Sequence, residues 1–437
     1  MNKKLQSLII SAVILIFSVL GVATIILLNR TNTPENIHTD IGIVEGNQPD
    51  EEDYEPAEGG PDVAQPEDTP ETETASPSPV IVSQPNQPAR PSNTTPNKPS
   101  TPPVKVTYTA TQVVSMMKIG WNLGNTLDST GASRCSYEAT TVSCETYWAN
   151  PVTTKAMIDE VKKAGFNAVR VPVTYRYHVK PDGTIDTKWL DRVAEIISYV
   201  LDNGMFCVLD AHHDTGQHPD AWIHSASPNL AESKKNLVNI WQQVATRFKD
   251  YDYKLVFEGM NEPVDKYPDP TFSWTAGWQD KKNINQLNQV FIDTVRATGG
   301  KNSDRVLVVA TFNNGADNQQ INQLFEKPTD TVKDRLILAI HNYSFSANGV
   351  DSLMTEIRTF QNSIHALPII INEFGSTGAD RTVQERAESA SYYIKKAKGI
   401  GVTCFWWDDG GSYMLFRRTD LTWRHPEIVN AIMANFK

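Results

Sequence analysis

Two short strings in the sequence place a glutamate directly after an apolar, β-rich run. They read Asn-Glu-Pro around Glu262 and Asn-Glu-Phe-Gly around Glu373. Such runs predict buried strands, and the loops after strands carry the catalytic groups in parallel β/α architectures. Hydrolysis of a glycosidic bond needs two carboxyl groups that face one cleft, one as an acid and one as a nucleophile. Glu262 and Glu373 are therefore candidate catalytic residues.

Alternating strand-like and helical runs from residue 105 onward must position these glutamates. Apolar runs predict strands near 117–121, 167–171, 205–210, 254–258, 305–310, 335–340, 368–372 and 402–406. Amphipathic runs predict helices near 153–164, 187–202, 229–248, 281–298, 317–325, 350–364, 381–398 and 426–435. Such alternation implies a parallel sheet, and eight units favour a closed α/β barrel, the (β/α)8 TIM barrel. No Gly-x-Gly-x-x-Gly follows the first strand, so the sequence gives no support for a dinucleotide-binding sheet.

Polar or aromatic side chains follow nearly every predicted strand. In chain order the first residues of these groups are Asn122, Arg170, His212, Asn261, Asn313, His341, Asn372 and Trp406. A single loop asparagine or histidine is more often structural than functional. Eight such groups on the face where barrels place active sites indicate one shared cleft.

Seven strings in this region resemble glycoside hydrolase family 5, the cellulase family with a (β/α)8 barrel, over roughly residues 107–437. They are Gly120-Trp-Asn-Leu-Gly-Asn-Thr-Leu-Asp128, Asn167-Ala-Val-Arg-Val-Pro172, Asp210-Ala-His-His213, Glu258-Gly-Met-Asn-Glu-Pro263, His341-Asn-Tyr343, Ile371-Asn-Glu-Phe-Gly375 and Trp406-Trp-Asp-Asp-Gly410. Many retaining glycosidase barrels share Asn-Glu-Pro alone, so the ordered set carries the resemblance. Its first and last strings are similar to the endoglucanase and xyloglucanase branch. That branch usually ends in Trp-Asp-Asn-Gly, from which Asp409 departs.

The resemblance implies a role for each matching residue. Glu262 corresponds to the acid/base, Glu373 to the nucleophile and Asn261 to the asparagine that binds the sugar 2-hydroxyl. Arg170 and Tyr343 correspond to the groups that hydrogen-bond the nucleophile and keep it ionised. The other predicted substrate-binding residues are His212 and His341, which line the site of the cleaved sugar, Trp407 as its aromatic platform, and Asn122.

Further tryptophans are candidates for additional sugar subsites, because the apolar faces of β-linked glucose stack on aromatic rings. They are Trp121, Trp148, Trp222, Trp274, Trp278 and Trp406, whereas Trp189 and Trp241 lie on helical runs and are predicted to be core residues. The run His212-His213-Asp214 with His218 also has metal-ligand chemistry. Retaining hydrolysis by two carboxylates needs no metal, so we expect neither a metal nor another cofactor.

The charge distribution bears on the partner of the folded region. The whole chain of 437 residues carries a net charge of −11, but residues 31–104 hold 14 acidic and 2 basic side chains. The region that follows is therefore close to neutral. Because nucleic-acid binding needs a basic surface, this excludes nucleic acid as a favoured partner and fits an uncharged β-glucan polysaccharide.

The first 104 residues divide into two segments. Residues 1–30 contain the uncharged apolar run from Leu8 to Leu28 after Lys3 and Lys4, which predicts a membrane anchor or a cleaved signal peptide. Residues 31–104 hold 15 of the 26 prolines and predict a disordered acidic and Pro/Thr/Ser-rich linker. Either N-terminal interpretation exports the domain at 105–437, either anchored at the cell surface with its N-terminal segment in the membrane or secreted.

Four cysteines are too few for a disulfide scaffold. Cys207 and Cys404 lie in apolar runs and are predicted to be buried free thiols. Cys135 and Cys144 lie in a polar stretch, where a disulfide and two free thiols both remain open.

The motifs together predict a monomeric, retaining endo-β-1,4-glucanase that acts on cellulose or related β-glucans. The same site could instead serve xyloglucan, mannan or xylan, because substrate preference depends on the loops. An inactive carbohydrate-binding barrel is an alternative from another class. The intact pair of glutamates, with Arg170 and Tyr343, argues against it.

Overall fold

The computed structural model describes residues 107–265 and 277–437. Eight parallel strands form a closed barrel in sequence order, and the first strand pairs with both the second and the last. They are β1 (Ile119–Asn122), β2 (Ala168–Val171), β3 (Phe206–Asp210), β4 (Leu255–Glu258), β5 (Leu307–Ala310), β6 (Leu336–His341), β7 (Ile369–Phe374) and β8 (Thr403–Trp406). Each lies within two residues of its predicted position, so the (β/α)8 prediction is confirmed.

Helices accompany the barrel, and most of them cover the outer faces of its strands. They are α1 (Ala110–Met117), α2 (Thr141–Glu145), α3 (Lys155–Lys163), α4 (Thr187–Asp202), α5 (Leu230–Arg247), α6 (Trp278–Ala297), α7 (Ala347–Gln361), α8 (Val383–Lys398) and α9 (Pro426–Met433). The helix predicted near 317–325 is a short π-helix, Asn318–Leu324. The sequence predictions did not include α1, α2 or the two-stranded hairpin of β9 (Phe416–Arg417) and β10 (Thr422–Trp423).

The barrel interior is a packed core that α1 closes from one end. Side chains from alternate strand positions form a cluster with Val113, Val114 and Met117 of α1. Phe405 fills part of this space, and a Cβ atom on Gly120 would lie 2.0 Å from its ring. Apolar side chains fill the interior of the barrel. The polar groups at the C-terminal ends of the strands are therefore left at the face of the barrel where the loops lie.

The cysteine pairs differ in state. Cys135 and Cys144 form a disulfide in the loop after β1, while Cys207 and Cys404 are buried free thiols, as predicted.

The predicted N-terminal segment (1–30) and linker (31–104) lie outside the described residues. Within the residues described, no helix combines the length and the apolar character needed to cross a membrane.

Candidate active site

The structure brings Glu262 and Glu373 together at the C-terminal face of the barrel. Glu373 lies near the end of β7, and Glu262 follows β4 by four residues. One carboxylate oxygen of each residue and a ring nitrogen of His341 all lie within 4.8 Å of one another. Retaining glycosidases hold their two carboxyl groups about 5–5.5 Å apart and inverting ones about 6.5–9.5 Å apart. The short separation therefore favours retention.

Glu373 is buried and receives two strong hydrogen bonds. Nη1 of Arg170 donates to Oε1 at 2.7 Å, and the Tyr343 hydroxyl donates to Oε2 at 2.8 Å. Burial raises the pKa of Glu373, while the charge of Arg170 and the Tyr343 hydrogen bond act in the opposite direction. The predicted contacts are present, and both donors stabilise the ionised carboxylate.

Arg170 is a fully buried hub beneath the site. Besides Glu373, it pairs with Asp210 at 2.5 Å and with Glu258 at 2.8 Å. Burial lowers its pKa, but the charges of these carboxylates prevail and raise the pKa well above its ordinary value. Arg170 is therefore a permanent cation whose donors all point at protein groups.

Asp210 and Glu258 were not among our predicted site residues. Each is the last residue of its strand, β3 and β4, and each is fully buried. Burial raises the pKa of Asp210 to about 6. The signal that could have identified them is a carboxylate that ends an apolar strand, and the two lie side by side because Asp210 and Glu258 are in register.

Asn122, predicted as a substrate-binding residue, lies behind the site instead. Its Nδ2 donates to the carbonyl oxygens of Asn372 and Trp406, and its Oδ1 accepts a hydrogen bond from Arg170. The side chain is completely buried and both of its donor hydrogens are used. This geometry corrects the prediction, because Asn122 orients Arg170 and offers no donor to a sugar.

Asn261 has the geometry expected for a sugar contact. Its Oδ1 accepts a hydrogen bond of 2.9 Å from Nη2 of Arg170, which fixes the orientation of the amide. Among the described residues, no acceptor pairs with its Nδ2. The amide nitrogen is thus the donor that remains for a sugar hydroxyl.

Glu262 sits on an unusual backbone. Its φ of 42° lies in the left-handed region, and its N–H donates to Oδ1 of Asn314 at 2.7 Å. Asn313 and Asn314 also have positive φ values, 53° and 47°. Non-glycine residues rarely adopt this conformation, which costs of order 1–3 kcal/mol at each residue and clusters at functional sites. Neighbouring loops therefore hold Glu262 in place.

The side chain of Glu262 meets His341 at the edge of the cleft. A hydrogen bond of 2.8 Å joins Oε1 of Glu262 to Nδ1 of His341, which is also 3.4 Å from Oε2 of Glu373. Burial raises the pKa of Glu262 to about 7, although its side chain is 31% exposed. Burial lowers the pKa of His341 to about 4, so that this ring is neutral at neutral pH. The charge of Arg170 opposes the rise in the pKa of Glu262 but does not overcome it, whereas Glu373 is in direct contact with Arg170.

His212 and Trp407 form one wall of the cleft. Their rings stack with a centroid distance of 5.7 Å and an interplanar angle of 6°. Nδ1 of His212 lies 2.8 Å from Oδ2 of Asp210, which fixes the ring. A Cβ atom on Gly124 would lie 2.9 Å from the Trp407 ring, so a larger side chain there would displace the ring. Trp407 remains half-buried, with surface left for a sugar face.

The other tryptophans divide between cleft, core and surface. Trp121 and Trp406 are 0% and 1% exposed, so their prediction as subsites was wrong, whereas Trp189 and Trp241 are core residues as predicted. Half-buried Trp148 packs against the rings of His213 and His218. Half-buried Trp222 donates from its ring nitrogen to Asp214, and exposed Trp278 begins α6. Trp274 lies outside the described residues.

Two clusters of described residues have side-chain atoms close enough to hold a metal ion. One is Glu262, His341 and Glu373, the candidate catalytic group itself. The other is Asp128, His212 and His213. In the second cluster the Asp128 carboxylate accepts backbone N–H bonds from Asn125 and Thr126. Hydrogen bonds within the protein account for the positions of the residues in both clusters.

Asp409, the departure from the motif pattern, closes a turn. Its Oδ1 accepts the N–H groups of Gly411 at 2.7 Å and Tyr413 at 3.0 Å. An asparagine oxygen can accept the same two bonds. The departure is therefore structurally conservative and leaves the catalytic pair untouched.

Comparison with known proteins places this geometry in context. Residues 128–412 match the family model described as cellulase, glycosyl hydrolase family 5. The cellulase/esterase CelE of Acetivibrio thermocellus is 38% identical over 350 residues, which cover 74% of this chain. The chain spans only 40% of the length of that relative.

Two solved structures share the fold over nearly their full length. A GH5-4 broad specificity endoglucanase from Ruminococcus champanellensis with bound cellotriose is 38% identical, with a TM-score of 0.68 over 75% of this chain and 98% of that chain. A glycoside hydrolase family 5 enzyme from Prevotella bryantii, a mutant in complex with a xyloglucan tetradecasaccharide, is 29% identical. Its TM-score is 0.69 over 76% of this chain and 99% of that chain.

Proposed function

The chain belongs to glycosyl hydrolase family 5, and on that premise we propose that it is a retaining endo-β-1,4-glucanase acting on cellulose or related β-glucans. The single observation that carries the mechanism is the 4.8 Å limit on the separation of the Glu262 and Glu373 oxygens. The two residues also have different neighbours. Arg170 and Tyr343 stabilise an anion on Glu373, and buried, neutral His341 leaves the proton on Glu262.

In the first step, the Glu373 carboxylate attacks the anomeric carbon and forms a glycosyl ester. The bond from that carbon to the leaving oxygen breaks, and Glu262 gives its proton to this oxygen. The pKa of about 7 keeps Glu262 largely protonated in mildly acidic solution. Asn261 can strengthen its hydrogen bond to the 2-hydroxyl as positive charge develops on the sugar.

In the second step, Glu262 acts as a base. It takes a proton from a water molecule, whose oxygen attacks the anomeric carbon of the ester. The carbon–oxygen bond to Glu373 breaks, and the carboxylate returns to its pairing with Arg170 and Tyr343. Two inversions at the same carbon yield net retention.

The preferred polymer is a question for the loops rather than for the catalytic pair. The cellotriose in one neighbour and the xyloglucan fragment in another support β-1,4-linked glucan backbones as substrates for this chain. We therefore propose unbranched β-glucans first and xyloglucan second, with mannan and xylan as further alternatives. Turnover on carboxymethyl-cellulose, mixed-linkage glucan, xyloglucan, glucomannan and xylan would rank them.

The stereochemical course tests the proposal. Proton NMR of the first product released from cellopentaose should show the β-anomer before mutarotation. Glu373→Gln should lower kcat by at least about 10⁴-fold, as removal of a covalent nucleophile does, while binding of cellotetraose persists. An α-anomer, or turnover by the variant at the wild-type rate, would contradict the assignment.

Metal removal provides a second test. Because the two carboxylates supply both acid and nucleophile, hydrolysis should continue unchanged after dialysis against a chelator. A loss of activity that Zn²⁺ or Ca²⁺ restores would instead assign a catalytic role to one of the two metal-compatible clusters.

We also propose that the domain works outside the cell as a monomer, either anchored or released. The support is the uncharged run Leu8–Leu28 after two lysines and the proline-rich segment that follows it. Fractionation of cells that express the full chain, with immunodetection in membrane and medium, distinguishes the two forms. Retention in the cytosol would contradict both.

A further inference from the structure

A pocket of about 230 Å³ lies beside the loops that follow β7 and β8. Its lining contains three arginines and a histidine and no carboxylate: Gly378, Arg381, Val383, Arg386, Ser412, Arg424 and His425. A site needs only about 10–15 Å³ of such volume to hold one water molecule. The pocket is therefore large enough for a charged group the size of a sugar unit.

The three arginines of this pocket have no ion-pair partner among the described residues. Arg381 packs its guanidinium over the Phe345 ring at 3.9 Å, and Arg424 is exposed. Two carboxylates, Glu385 and Glu427, are within electrostatic range of the cluster without pairing to any of the three guanidinium groups. The pocket thus concentrates positive charge in a domain that is otherwise nearly neutral.

Arg386 has the most unusual environment of the three, since it is only 3% exposed. Its Nε and Nη2 donate to the hydroxyl and carbonyl oxygens of Ser376. Its Nη1 has no acceptor among the described residues and lies 3.7 Å from the position of a Cβ atom on Gly378, which also lines the pocket. Burial and repulsion by Arg424 and Arg381 lower the pKa of Arg386.

A buried cation that faces two like charges is costly unless an anion compensates it. The local backbone adds to this cost. His425 directly precedes α9, which begins at the pocket without a side-chain cap, whereas Thr382 and the Glu385 carboxylate already cap α8 at Val383. Helix N-termini and unpaired guanidinium groups share one preferred ligand, an oxyanion.

The pocket adjoins the catalytic cleft through Tyr413. Ser412 lines the pocket, and the next residue, Tyr413, packs its ring 5.4 Å from that of Tyr343, the donor to Glu373. Burial, Asp409 and Glu373 raise the pKa of Tyr413 to about 12, while Arg381 opposes the shift. Tyr413 therefore lies between Ser412 of the pocket lining and Tyr343, the residue that donates to the nucleophile.

We propose that Arg381, Arg386 and Arg424 form an oxyanion site that binds a carboxylate substituent on the polysaccharide held in the neighbouring cleft. The planar guanidinium groups match a carboxylate in two-point geometry, as a uronic acid or a carboxymethyl group presents it. The assignment of the ligand to the polymer rests on the proposed function. The oxyanion site itself does not.

Binding to the catalytically inactive Glu373→Gln variant tests the site without any need for turnover. Isothermal titration calorimetry with sodium glucuronate, and separately with inorganic phosphate, should show saturable binding that weakens as salt is raised. Arg424→Gln and Arg381→Gln should each weaken it about tenfold, as expected for the loss of a charge-assisted hydrogen bond. Arg358→Gln on α7 removes the same charge from an exposed position and should leave binding unchanged.

Kinetics identify the source of the anion. The wild-type ratio of kcat/KM on carboxymethyl-cellulose to that on neutral mixed-linkage glucan should fall about tenfold in Arg424→Gln. The rate on the neutral glucan should stay within about twofold, since Arg424 is outside the catalytic group. Arg358→Gln should preserve the ratio.

Each outcome discriminates. Absence of glucuronate and phosphate binding, or equal weakening by Arg358→Gln, overturns the oxyanion site. If phosphate or glucuronate binds but Arg424→Gln leaves the ratio of kcat/KM between the two polymers unchanged, the polysaccharide assignment is overturned. The ligand is then a free small oxyanion. If the wild type hydrolyses neither polymer, the proposed function fails, and the calorimetry still decides whether the site exists.

Discussion

At the scale of single residues, two carboxyl groups take different protonation states because their neighbours differ. Glu373 receives donors from fully buried Arg170 and from half-buried Tyr343. Glu262 instead meets His341, whose pKa burial lowers to about 4. In the proposed mechanism, the surrounding groups thus set the division between acid and nucleophile, since both residues are glutamates.

The pH dependence of catalysis follows from this division. Glu262 must be protonated in the first step, so kcat/KM should fall as the pH rises through about 7, the value to which burial raises its pKa. In Glu262→Gln, hydrolysis of glucan should drop about 10²–10⁴-fold, as for loss of a general acid. The variant should still form the glycosyl ester from an activated aryl cellobioside, because that leaving group needs no proton. This reaction should show no alkaline fall near pH 7, because the carboxyl group that titrates there is absent.

A series of kcat/KM values from pH 4 to 9 on both substrates provides the measurement. Wild-type enzyme on the same aryl cellobioside is the reference for the shape of the profile. Persistence of the alkaline fall in the variant would remove Glu262 from its role.

Much of the catalytic group was predictable from the sequence because strand ends are easy to locate. Glu262, Glu373 and Arg170 each follow or end an apolar run, and a barrel brings such positions together. The hydrogen bonds that turn Asn122 away from the cleft were not predictable. They depend on the register of β1 against β8, which places the Trp406 carbonyl beside its amide.

At the scale of elements, the loop after β8 is locked to the loop after β1 by Asp408 and Arg418. Asp408 is fully buried, and its carboxylate accepts from the Trp121 ring nitrogen and from the N–H groups of Leu415 and Phe416. Arg418 donates to Asp408 and to the carbonyl oxygen of Gly124. These bonds hold Trp407 and its neighbours in position around the cleft.

Removal of this lock should destabilise the domain. Asp408→Ala removes the carboxylate that lies 3.4 Å from buried Arg418 and leaves four donors without an acceptor, since Gly410 also donates its N–H to this carboxylate. We therefore expect a loss of about 3–5 kcal/mol in the free energy of unfolding. Asp409→Asn is the matched control, because the asparagine oxygen keeps both bonds of the turn. It should change stability by less than about 0.5 kcal/mol. Urea unfolding followed by tryptophan fluorescence measures both, and equal stabilities of the two variants would contradict the interpretation.

The barrel strands and the helices that follow them were predictable because their apolar periodicity is strong. The helix α1 and the β9–β10 hairpin were not. The helix α1 contributes only eight residues, and its role as a plug depends on contacts with the barrel interior. The hairpin β9–β10 has two residues in each strand. Such short segments lack the repeated pattern that identifies a helix or strand from sequence.

At the scale of the whole molecule, buried carboxylates should make stability depend on pH. Burial raises the pKa of Asp128 and Asp214 to about 7 and that of Asp210 to about 6, from an ordinary value of 3.8. The folded state thus binds these protons more tightly than the unfolded chain. The resulting stabilisation is complete below pH 3.8 and is lost as the pH rises through 6 to 7.

We therefore expect the Tm of the isolated domain to fall as the pH rises from 6.5 to 8. Differential scanning calorimetry at constant ionic strength gives the comparison. Histidines whose pKa burial lowers, such as His178 and His341, act in the opposite direction mainly below their ordinary pKa of 6.5, outside this range. A Tm that stays constant or rises between pH 6.5 and pH 8 would show that these carboxylates are ionised at little cost.

The left-handed backbone at Glu262 has a consequence for directed evolution. Glycine accepts such a φ freely and asparagine nearly so, whereas glutamate does not. A library selected for heat tolerance alone should therefore enrich Glu262→Gly and Glu262→Asn, which relieve the strain and abolish the acid. Lys118, Ala149 and Leu421 share the positive φ outside the catalytic pair, so glycine there relieves strain without this loss. Selection for a more durable biocatalyst from this scaffold needs an activity screen in every round, because one of its stabilising positions is the candidate acid itself.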